Sequence, residues 1–297
     1  SRGLGDVYKR QEVVRESLLH RRIFKVNPLL GYMHMSLAFG WFLLIVVGWI
    51  ETVAYLGFRY VPLHGHVFFK YFATELPHKP VFDFLMDLLL LFVLSGVTLA
   101  FGKRIYSQAM GMHRTTRHVL GDRIALSVLW LIFPARLLAE SITCALHGGG
   151  GFLTGTIGEW MAHHVNPIVL QTLYEPLWWA YSICLGLFFI VLPFSRYMHI
   201  FTEIPLIFLR RYKLHSTEKE GSFDRFQTDA CSRCGICIDP CQLQSELGID
   251  DVQSVYFLRD RRYNHLRQSV ANNCLMCGRC EQRCPVAVSY THLTLPT

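Results

Sequence analysis

CSRCGICIDPC, residues 231–241, and CLMCGRCEQRC, residues 274–284, are two copies of one cysteine spacing. Each copy follows the pattern C-x-x-C-x-x-C-x-x-x-C, and the two copies hold eight of the ten cysteines in the chain. In proteins with two iron–sulfur clusters, three thiolates of such a run bind one cluster and the fourth binds the other. We therefore predict one [4Fe–4S] cluster on Cys231, Cys234, Cys237 and Cys284, and a second on Cys274, Cys277, Cys280 and Cys241.

Two other uses of these cysteines are less consistent with the spacing. Structural zinc takes four ligands, usually as two separated pairs, which leaves a regular run of four unexplained. Disulfides form in oxidising compartments, where closely spaced thiols do not stay reduced for metal binding. The two copies differ in one respect, because Pro240 precedes Cys241 and Gln242 follows it, whereas Pro285 follows Cys284.

Both ends of the chain have an unusual composition. Residues 1–11 (SRGLGDVYKRQ) and 288–297 (VSYTHLTLPT) resemble peptides that recur on unrelated sequences from metagenomic assemblies. We predict that both are sequencing artefacts and exclude them from the fold prediction. The expected native part, residues 12–287, is then a fragment at both ends.

Long apolar runs dominate the first two thirds of the chain. Hydrophobic residues make up 52% of the sequence and charged residues only 17%, which is too apolar for an ordinary soluble domain. A helix needs about 20 apolar residues to cross a bilayer. Four runs reach that length, and the alternative of buried helices in a soluble protein would leave almost no polar surface. We predict four membrane spans, at Leu29–Tyr55, Val81–Phe101, Ile124–Leu146 and Pro167–Tyr197.

The basic residues predict the orientation of these spans. Lysines and arginines gather before the first span, between the second and third, and after the fourth, and basic loops stay on the cytoplasmic side. This places both native ends and the cysteine motifs in the cytoplasm, a reducing compartment. We predict a multi-pass protein of a prokaryotic cytoplasmic membrane. The flanks account for the modest net charge of +7, and nothing indicates nucleic-acid binding.

The remaining sequence completes the domain plan. A polar segment, residues 213–226, is the expected linker between an anchor at 12–212 and a cluster domain at 227–287. Between the cysteine motifs, Asp250–Arg267 is predicted to be helical, with acidic residues at its start and arginines toward its end. The predicted fold class is an all-α membrane protein, in which a four-helix transmembrane bundle precedes a mostly helical dicluster ferredoxin domain.

Two histidines are candidate haem ligands. His34 lies near the start of the first span and His199 at the end of the fourth. After four crossings these two ends share one membrane face, so the two imidazoles can supply both axial nitrogens of one b-type haem. The alternative is that His34 forms an ordinary interhelical hydrogen bond and that His199 is an interfacial residue.

Charged residues near the opposite membrane face form a second group. Asp87, Arg136, Glu140 and Glu51 fall within or at the end of predicted spans, where ionisable side chains are expensive and commonly functional. Arg136 and Glu140 share a helix face at i, i+4. Either the group is a charge-neutralised packing network, or it forms a quinone head-group or proton-transfer site.

These features together resemble known families. The anchor is similar to the cytochrome b (gamma) subunit of respiratory nitrate reductase, and the cysteine domain resembles the helical dicluster modules of heterodisulfide reductase and succinate dehydrogenase. In the cytochrome family two haems lie between one pair of helices. Here Leu44 and Tyr181 stand where the second histidine pair would be, so the resemblance implies one haem.

The predicted function is electron transfer within an oxidoreductase complex. The chain would relay electrons between the quinone pool and a cytoplasmic redox protein or catalytic subunit, through haem b and two [4Fe–4S] clusters. No catalytic residue is predicted, and a catalytic part can lie outside this fragment. The alternative function is a haem-free, membrane-tethered ferredoxin that acts as a docking or assembly factor or as a redox sensor.

Overall fold

The structure is a computed structural model, and its described residues form two compact units. The span unit comprises Met33–Gly111 and Arg123–Val191, and the cluster unit comprises Ser1–Tyr32, Met112–Asp122 and Leu192–Thr297. The residues that the structure describes are 11, 13–57, 64–66, 69–72, 79–109, 119–211, 222–238, 240–243, 253–262, 273–275 and 277–284. Both predicted terminal artefacts lie almost wholly outside these ranges.

Helices long and apolar enough to cross a membrane account for most of the described chain. They are α2 (Pro28–Gly57), α3 (Lys79–Ala109), α4 (Leu120–His147) and α6 (Pro167–Val191). Four membrane-spanning candidates follow from their length and composition, at Pro28–Gly57, Lys79–Tyr106, Leu120–His147 and Pro167–Phe194. The predicted fold class, an all-α membrane protein with four spans, is confirmed.

Shorter elements complete the fold. A π-helical turn covers Val14–Leu18, and 3₁₀ turns cover Leu192–Phe194 and Arg196–Met198. The short helices are α1 (Arg21–Val26), α5 (Thr154–His164), α7 (His199–Arg211), α8 (Ser222–Asp229), α9 (Ser254–Arg262) and α10 (Arg279–Arg283). Strands β1 (His64–His66) and β2 (Phe69–Tyr71) pair antiparallel in a small hairpin.

Several predicted boundaries differ from the observed ones, and α3 continues to Ala109 although the second span was predicted to end at Phe101. The fourth span was predicted to continue to Tyr197, but α6 ends at Val191 and two 3₁₀ turns follow. Pro193 lacks an N–H, and the Ser195 side chain accepts from the Tyr197 N–H at 3.3 Å, which caps a new turn. Helix α8 begins at Ser222, inside the predicted linker. The described part of the helix predicted at 250–267 is α9, and the rest of that stretch lies outside the described residues.

Helices α2 and α3 approach each other closely in the span unit. A Cβ atom added at Gly96 would lie 1.8 Å from the Ser36 hydroxyl oxygen and 2.9 Å from its Cβ. Ser36 is fully buried and donates to the Met33 carbonyl at 3.1 Å. Small residues at such contacts let two membrane helices pack backbone to backbone.

Aromatic side chains fill the interior of the span unit. Trp41 of α2 meets Phe133 of α4 and Phe188 of α6 with edge-on rings, at centroid distances of 6.0 and 5.2 Å. At the hairpin, Phe69 of β2 stacks on Trp178 of α6 at 4.5 Å. The hairpin therefore packs into the bundle through its aromatic residue.

The core of the cluster unit is smaller. It is a cluster of buried side chains from α7, from α9 and from the residue that follows α8, and Phe226 of α8 and several cysteines pack against it. Its members are Leu206, Ala230, Phe257 and Leu258.

The close contact at Gly96 gives a stability prediction. We expect Gly96→Val to destabilise the detergent-solubilised protein by about 1–3 kcal/mol, because the added methyl groups overpack the α2–α3 contact. The measurement is thermal unfolding followed by tryptophan fluorescence. Gly102→Val on the same helix is the matched control, since nothing lies within 4 Å of its Cβ position. Equal melting temperatures for the two variants would contradict the close-packing interpretation.

Candidate iron–sulfur centre and membrane polar site

The first cysteine motif is a sharply turned loop that begins where α8 ends. The Cys231 N–H donates to the Thr228 carbonyl at 3.4 Å, which closes the end of the helix. Arg233 and Gly235 are left-handed, with φ of 55° and 83°. Glycine adopts this conformation readily, but arginine does not. These two left-handed residues stand on either side of Cys234 and give the loop its sharp turn.

One cavity in the cluster unit is lined mainly by cysteines. Three of its cysteines belong to the first motif and two to the second, and they are Cys231, Cys234, Cys237, Cys280 and Cys284. The cavity wall therefore includes all four ligands predicted for the first cluster, together with one ligand predicted for the second. Four thiols from two motifs are a donor set that suits a [4Fe–4S] cluster, in which each thiolate binds a different iron.

The other three ligands predicted for the second cluster do not line this cavity. Cys274 packs, with Cys280 and Cys284, against the core of the cluster unit. Cys241 is half-buried and Cys277 is exposed, and neither lines the cavity. Within the described ranges, no three His, Cys, Asp or Glu side chains gather around a point where a single metal ion could bind.

Burial keeps the thiols of the cavity protonated when no metal is bound. It raises the pKa of Cys234 and of Cys280 to about 11, and it raises the pKa of Cys237 well above its usual value. The Ser254 side chain hydrogen bonds with Cys237 and Cys280 and opposes this effect. Because iron binds thiolates, cluster insertion must release these protons.

Positive charge near Cys231 also favours its thiolate. Burial raises the pKa of Cys231, while the Arg233 backbone N–H and the charges of Arg233 and Arg262 lower it. The Arg233 guanidinium forms a buried ion pair with the Asp122 carboxylate, and Arg262 pairs with Asp229 at 3.2 Å. Sequence reasoning missed these polar neighbours and Ser254, since only the fold brings them beside the cysteines.

His199 has the protonation state that a metal ligand needs. Its Nδ1 lies 2.7 Å from the Arg196 carbonyl oxygen, which can only accept a hydrogen bond. Burial lowers the pKa of His199 to about 4, and the charges of Arg196 and His20 add to this effect. The ring is therefore neutral, with the proton on Nδ1 and the lone pair on Nε2, as in histidines that bind metals.

The predicted haem pair falls in two units. His34 belongs to the span unit and His199 to the cluster unit, so their pairing stays a prediction. The cluster unit also holds a buried histidine, His20, whose Nδ1 lies 3.1 Å from the Leu18 carbonyl oxygen. Burial lowers its pKa as well. Sequence reasoning did not single out His20, because it precedes the first span.

In the span unit, Arg136 and Glu140 form the predicted i, i+4 pair. The Arg136 Nε and Nη2 atoms donate to Oε1 of Glu140 at 3.0 and 2.8 Å, and both side chains are buried. The Phe69 ring covers the guanidinium, with its centroid 4.8 Å from Cζ. Pairing and the cation–π contact offset the desolvation of both charges.

Asp87 has a different partner. Its carboxylate accepts hydrogen bonds from the backbone N–H groups of Leu153 and Thr154 at 2.7 and 2.9 Å, and from the Thr154 hydroxyl at 2.9 Å. These groups lie at the start of α5, so Asp87 caps that helix from a neighbouring one. For this residue the structure favours the packing alternative.

A polar cavity lies between these groups. Its lining includes four carboxylates and the phenol of the hairpin: Glu51, Asp83, Asp87, Glu140 and Tyr71. The Tyr71 hydroxyl donates to the Gly148 carbonyl at 3.0 Å. Most buried carboxylates in membrane spans face a polar cavity or a charged partner, and here both occur together.

Comparison with known proteins identifies one part of the chain. Residues 227–288 match the family model described as a 4Fe-4S dicluster domain. No curated protein and no solved structure matches the chain. This protein is therefore a helical membrane protein that carries a 4Fe-4S dicluster domain.

The match tests part of the sequence analysis. The prediction of an iron–sulfur, ferredoxin-like domain is confirmed, and the domain supports a role in electron transfer. The resemblance of the anchor to the nitrate reductase subunit and of the cysteine domain to heterodisulfide reductase stays a prediction. The assignment of individual ligands also stays a prediction.

The ligand assignment can be tested by cysteine replacement. Anaerobically purified protein should contain about eight irons and eight sulfides per chain, and Cys284→Ser should retain about four of each if one cluster is lost. Iron and acid-labile sulfide analysis is the measurement. Cys184→Ser in α6 is the control, because this half-buried cysteine belongs to neither motif. A full complement of iron in Cys284→Ser would contradict the assignment.

Proposed function

We propose that this protein is the membrane-bound electron-transfer subunit of an oxidoreductase complex. It exchanges electrons between the quinone pool and a cytoplasmic redox protein or catalytic subunit. The observation that carries the proposal is the joint occurrence of a dicluster domain and four membrane-spanning helices in one chain. A soluble ferredoxin needs no such anchor, whereas a chain that transfers electrons from lipid-soluble quinol does.

The cysteine cavity supports the proposed cluster sites. Cys231, Cys234 and Cys237 from one motif and Cys284 from the other line it together, as the cross-ligated spacing requires. When bound, each cluster accepts and releases one electron. The protein supplies the thiolates, the nearby arginine charges and the apolar core that keeps water away.

The distribution of basic residues supports a cytoplasmic location for the cluster domain. Arginines lie before α2 and after α6, and Lys103 and Arg104 lie in the last turns of α3. Because successive spans alternate in direction, the start of α2 and the ends of α3 and α6 lie on the same side of the membrane. The positive-inside rule assigns this side to the cytoplasm. The membrane is then a prokaryotic cytoplasmic membrane.

We assign one b-type haem to His34 and His199. The neutral His199 ring, with Nδ1 donating to the Arg196 carbonyl, suits a residue that would hold the haem iron through Nε2. His34 is half-buried in the first turns of α2, the position that the cytochrome resemblance requires. The haem supplies a one-electron centre when bound.

The polar cavity of the span unit is the proposed quinol site. Oxidation of one quinol releases two electrons and two protons, so a site for this reaction needs proton acceptors. Glu51 and Asp83 line the cavity beside the paired Glu140, and carboxylates are suited to accept the protons. The Arg136–Glu140 pair and the Asp87 cap hold the walls in place.

Haem content tests the electron-transfer proposal against the haem-free alternative. We expect about one reducible b-type haem per chain after expression with haem supply, and its loss in His34→Ala, since each bis-histidine site needs both ligands. Optical spectra and pyridine haemochrome assays are the measurements. His163→Ala is the control, because this histidine is exposed on α5. Haem retained in His34→Ala but lost in His20→Ala would contradict the assigned pair, and no haem at all would favour the tethered ferredoxin.

Quinol reactivity tests the cavity. We expect Glu51→Gln to slow cluster reduction by a quinol analogue on the order of 10²-fold, because general-base groups contribute about that much. This substitution keeps the Arg136–Glu140 pair intact. The matched control is Glu159→Gln, an exposed carboxylate on α5. Stopped-flow spectroscopy of the protein in nanodiscs gives the rates, and equal rates in both variants would leave the cavity without a role in quinol oxidation.

A further inference from the structure

Arg233 occupies an unusual position inside the first cysteine motif. It lies between Cys231 and Cys234, and its φ of 55° places its backbone in the left-handed region, which residues with a side chain rarely adopt. Non-glycine residues in this region persist where their surroundings hold them. Only 3% of the Arg233 side chain is exposed, and it forms an ion pair with Asp122, whose side chain is fully buried. This ion pair helps to hold the residue in its left-handed conformation.

Asp122 joins three segments of the cluster unit. One carboxylate oxygen pairs with Arg233, and the other accepts the Arg196 N–H at 2.7 Å. Asp122 lies in the first turn of α4, where the helix dipole favours a negative charge. With these two partners the Asp122 carboxylate connects the cysteine loop to the turn at residues 195–196.

A second arginine meets the same turn. The Arg262 guanidinium donates to the Ser195 carbonyl at 2.8 Å and pairs with Asp229 at 3.2 Å. Arg262 ends α9, the helix that supplies Ser254 and Leu258 to the cysteine cavity. The turn at residues 195–196 is therefore bound both to Asp122, the partner of Arg233 in the cysteine motif, and to Arg262 of α9.

Arg233 also acts electrostatically on the cavity. It is part of the cavity wall, and its charge and its backbone N–H both favour the thiolate of Cys231. Cluster reduction potentials depend on nearby charge and on hydrogen bonds to sulfur. Asp122 neutralises this arginine, so the net charge beside the cavity depends on both members of the pair.

We infer that Asp122 is a positioning residue for the first cluster: through Arg233 it holds the Cys231–Cys234 loop and sets the reduction potential of the cluster bound there. The inference rests on the proposed function, because it requires clusters on the cysteine motifs. A purely structural pair would stabilise the fold, and replacing either member alone by a neutral side chain would leave the potential unchanged.

Redox titration of the full chain in nanodiscs, followed by electron paramagnetic resonance, separates these two roles. In Asp122→Asn the arginine charge is uncompensated, so one cluster should have a higher midpoint potential. In Arg233→Gln the carboxylate is uncompensated, so the potential of the same cluster should fall. The double variant Asp122→Asn/Arg233→Gln should lie between the two single variants.

Arg279→Gln is the matched control. Arg279 also lies inside a cysteine motif, between Cys277 and Cys280, but it is exposed to solvent, which screens its charge. The inference would be overturned if the two single variants shift the potential in the same direction or shift both clusters equally. Shifts no larger than that of Arg279→Gln would also overturn it.

Iron and sulfide analysis tests the inference when a single variant binds too little cluster for a redox titration. A buried charge without its partner is strongly destabilising, whereas removal of both charges is tolerated. The double variant should then hold more iron and sulfide than the poorer single variant, and equal depletion in all three would overturn the inference. A wild-type chain without two cluster signals would contradict the proposed function itself, which separates the two failures.

Discussion

The low polarity of a bilayer interior constrains most of this chain. A backbone in hydrocarbon must satisfy its own hydrogen bonds, and a continuous helix does so. This is why α4 stays helical through Pro134, and why α6 does so through Pro176: a break would expose several polar groups to lipid, at greater cost than the one hydrogen bond that each proline removes. The same constraint applies to charged side chains, since each must find a partner within reach.

Buried charged residues have partners in both units, with different consequences. Arg136 and Glu140 neutralise each other on one helix face, and Phe69 excludes solvent from the guanidinium. Asp87 and Asp122 instead compensate groups on other segments, a helix start in one case and a cysteine loop in the other. The first arrangement is local and helps to fold a span. The second connects distant parts of the chain, and such contacts can carry an effect from one functional group to another.

The sequence predicted what depends on local patterns. The number of spans follows from apolar length, and the dicluster domain follows from cysteine spacing, because both signals lie within short stretches. The i, i+4 relation of Arg136 and Glu140 was predictable for the same reason. By contrast, Asp122 and Arg233 are 111 positions apart, and Phe69 reaches Arg136 from a loop between two other spans. No periodicity links such residues, so only the tertiary fold identifies the ion pair, the aromatic cover and the role of Ser254 in the cavity.

The early end of α6 affects the surroundings of His199, the proposed haem ligand of the cluster unit. If the fourth span had continued to Tyr197, the orientation of His199 would follow from that span. Instead His199 begins α7 after two short turns, and its ring is fixed by the Arg196 carbonyl. The N–H of the same Arg196 donates to Asp122, which pairs with Arg233 beside Cys231. One residue thus contacts both the predicted haem ligand and the carboxylate that holds the first cysteine loop. A hydrogen-bonded path through Arg196, Asp122 and Arg233 therefore links the proposed haem histidine to the loop that carries Cys231, and electron transfer between centres at these two sites would benefit from such a connection.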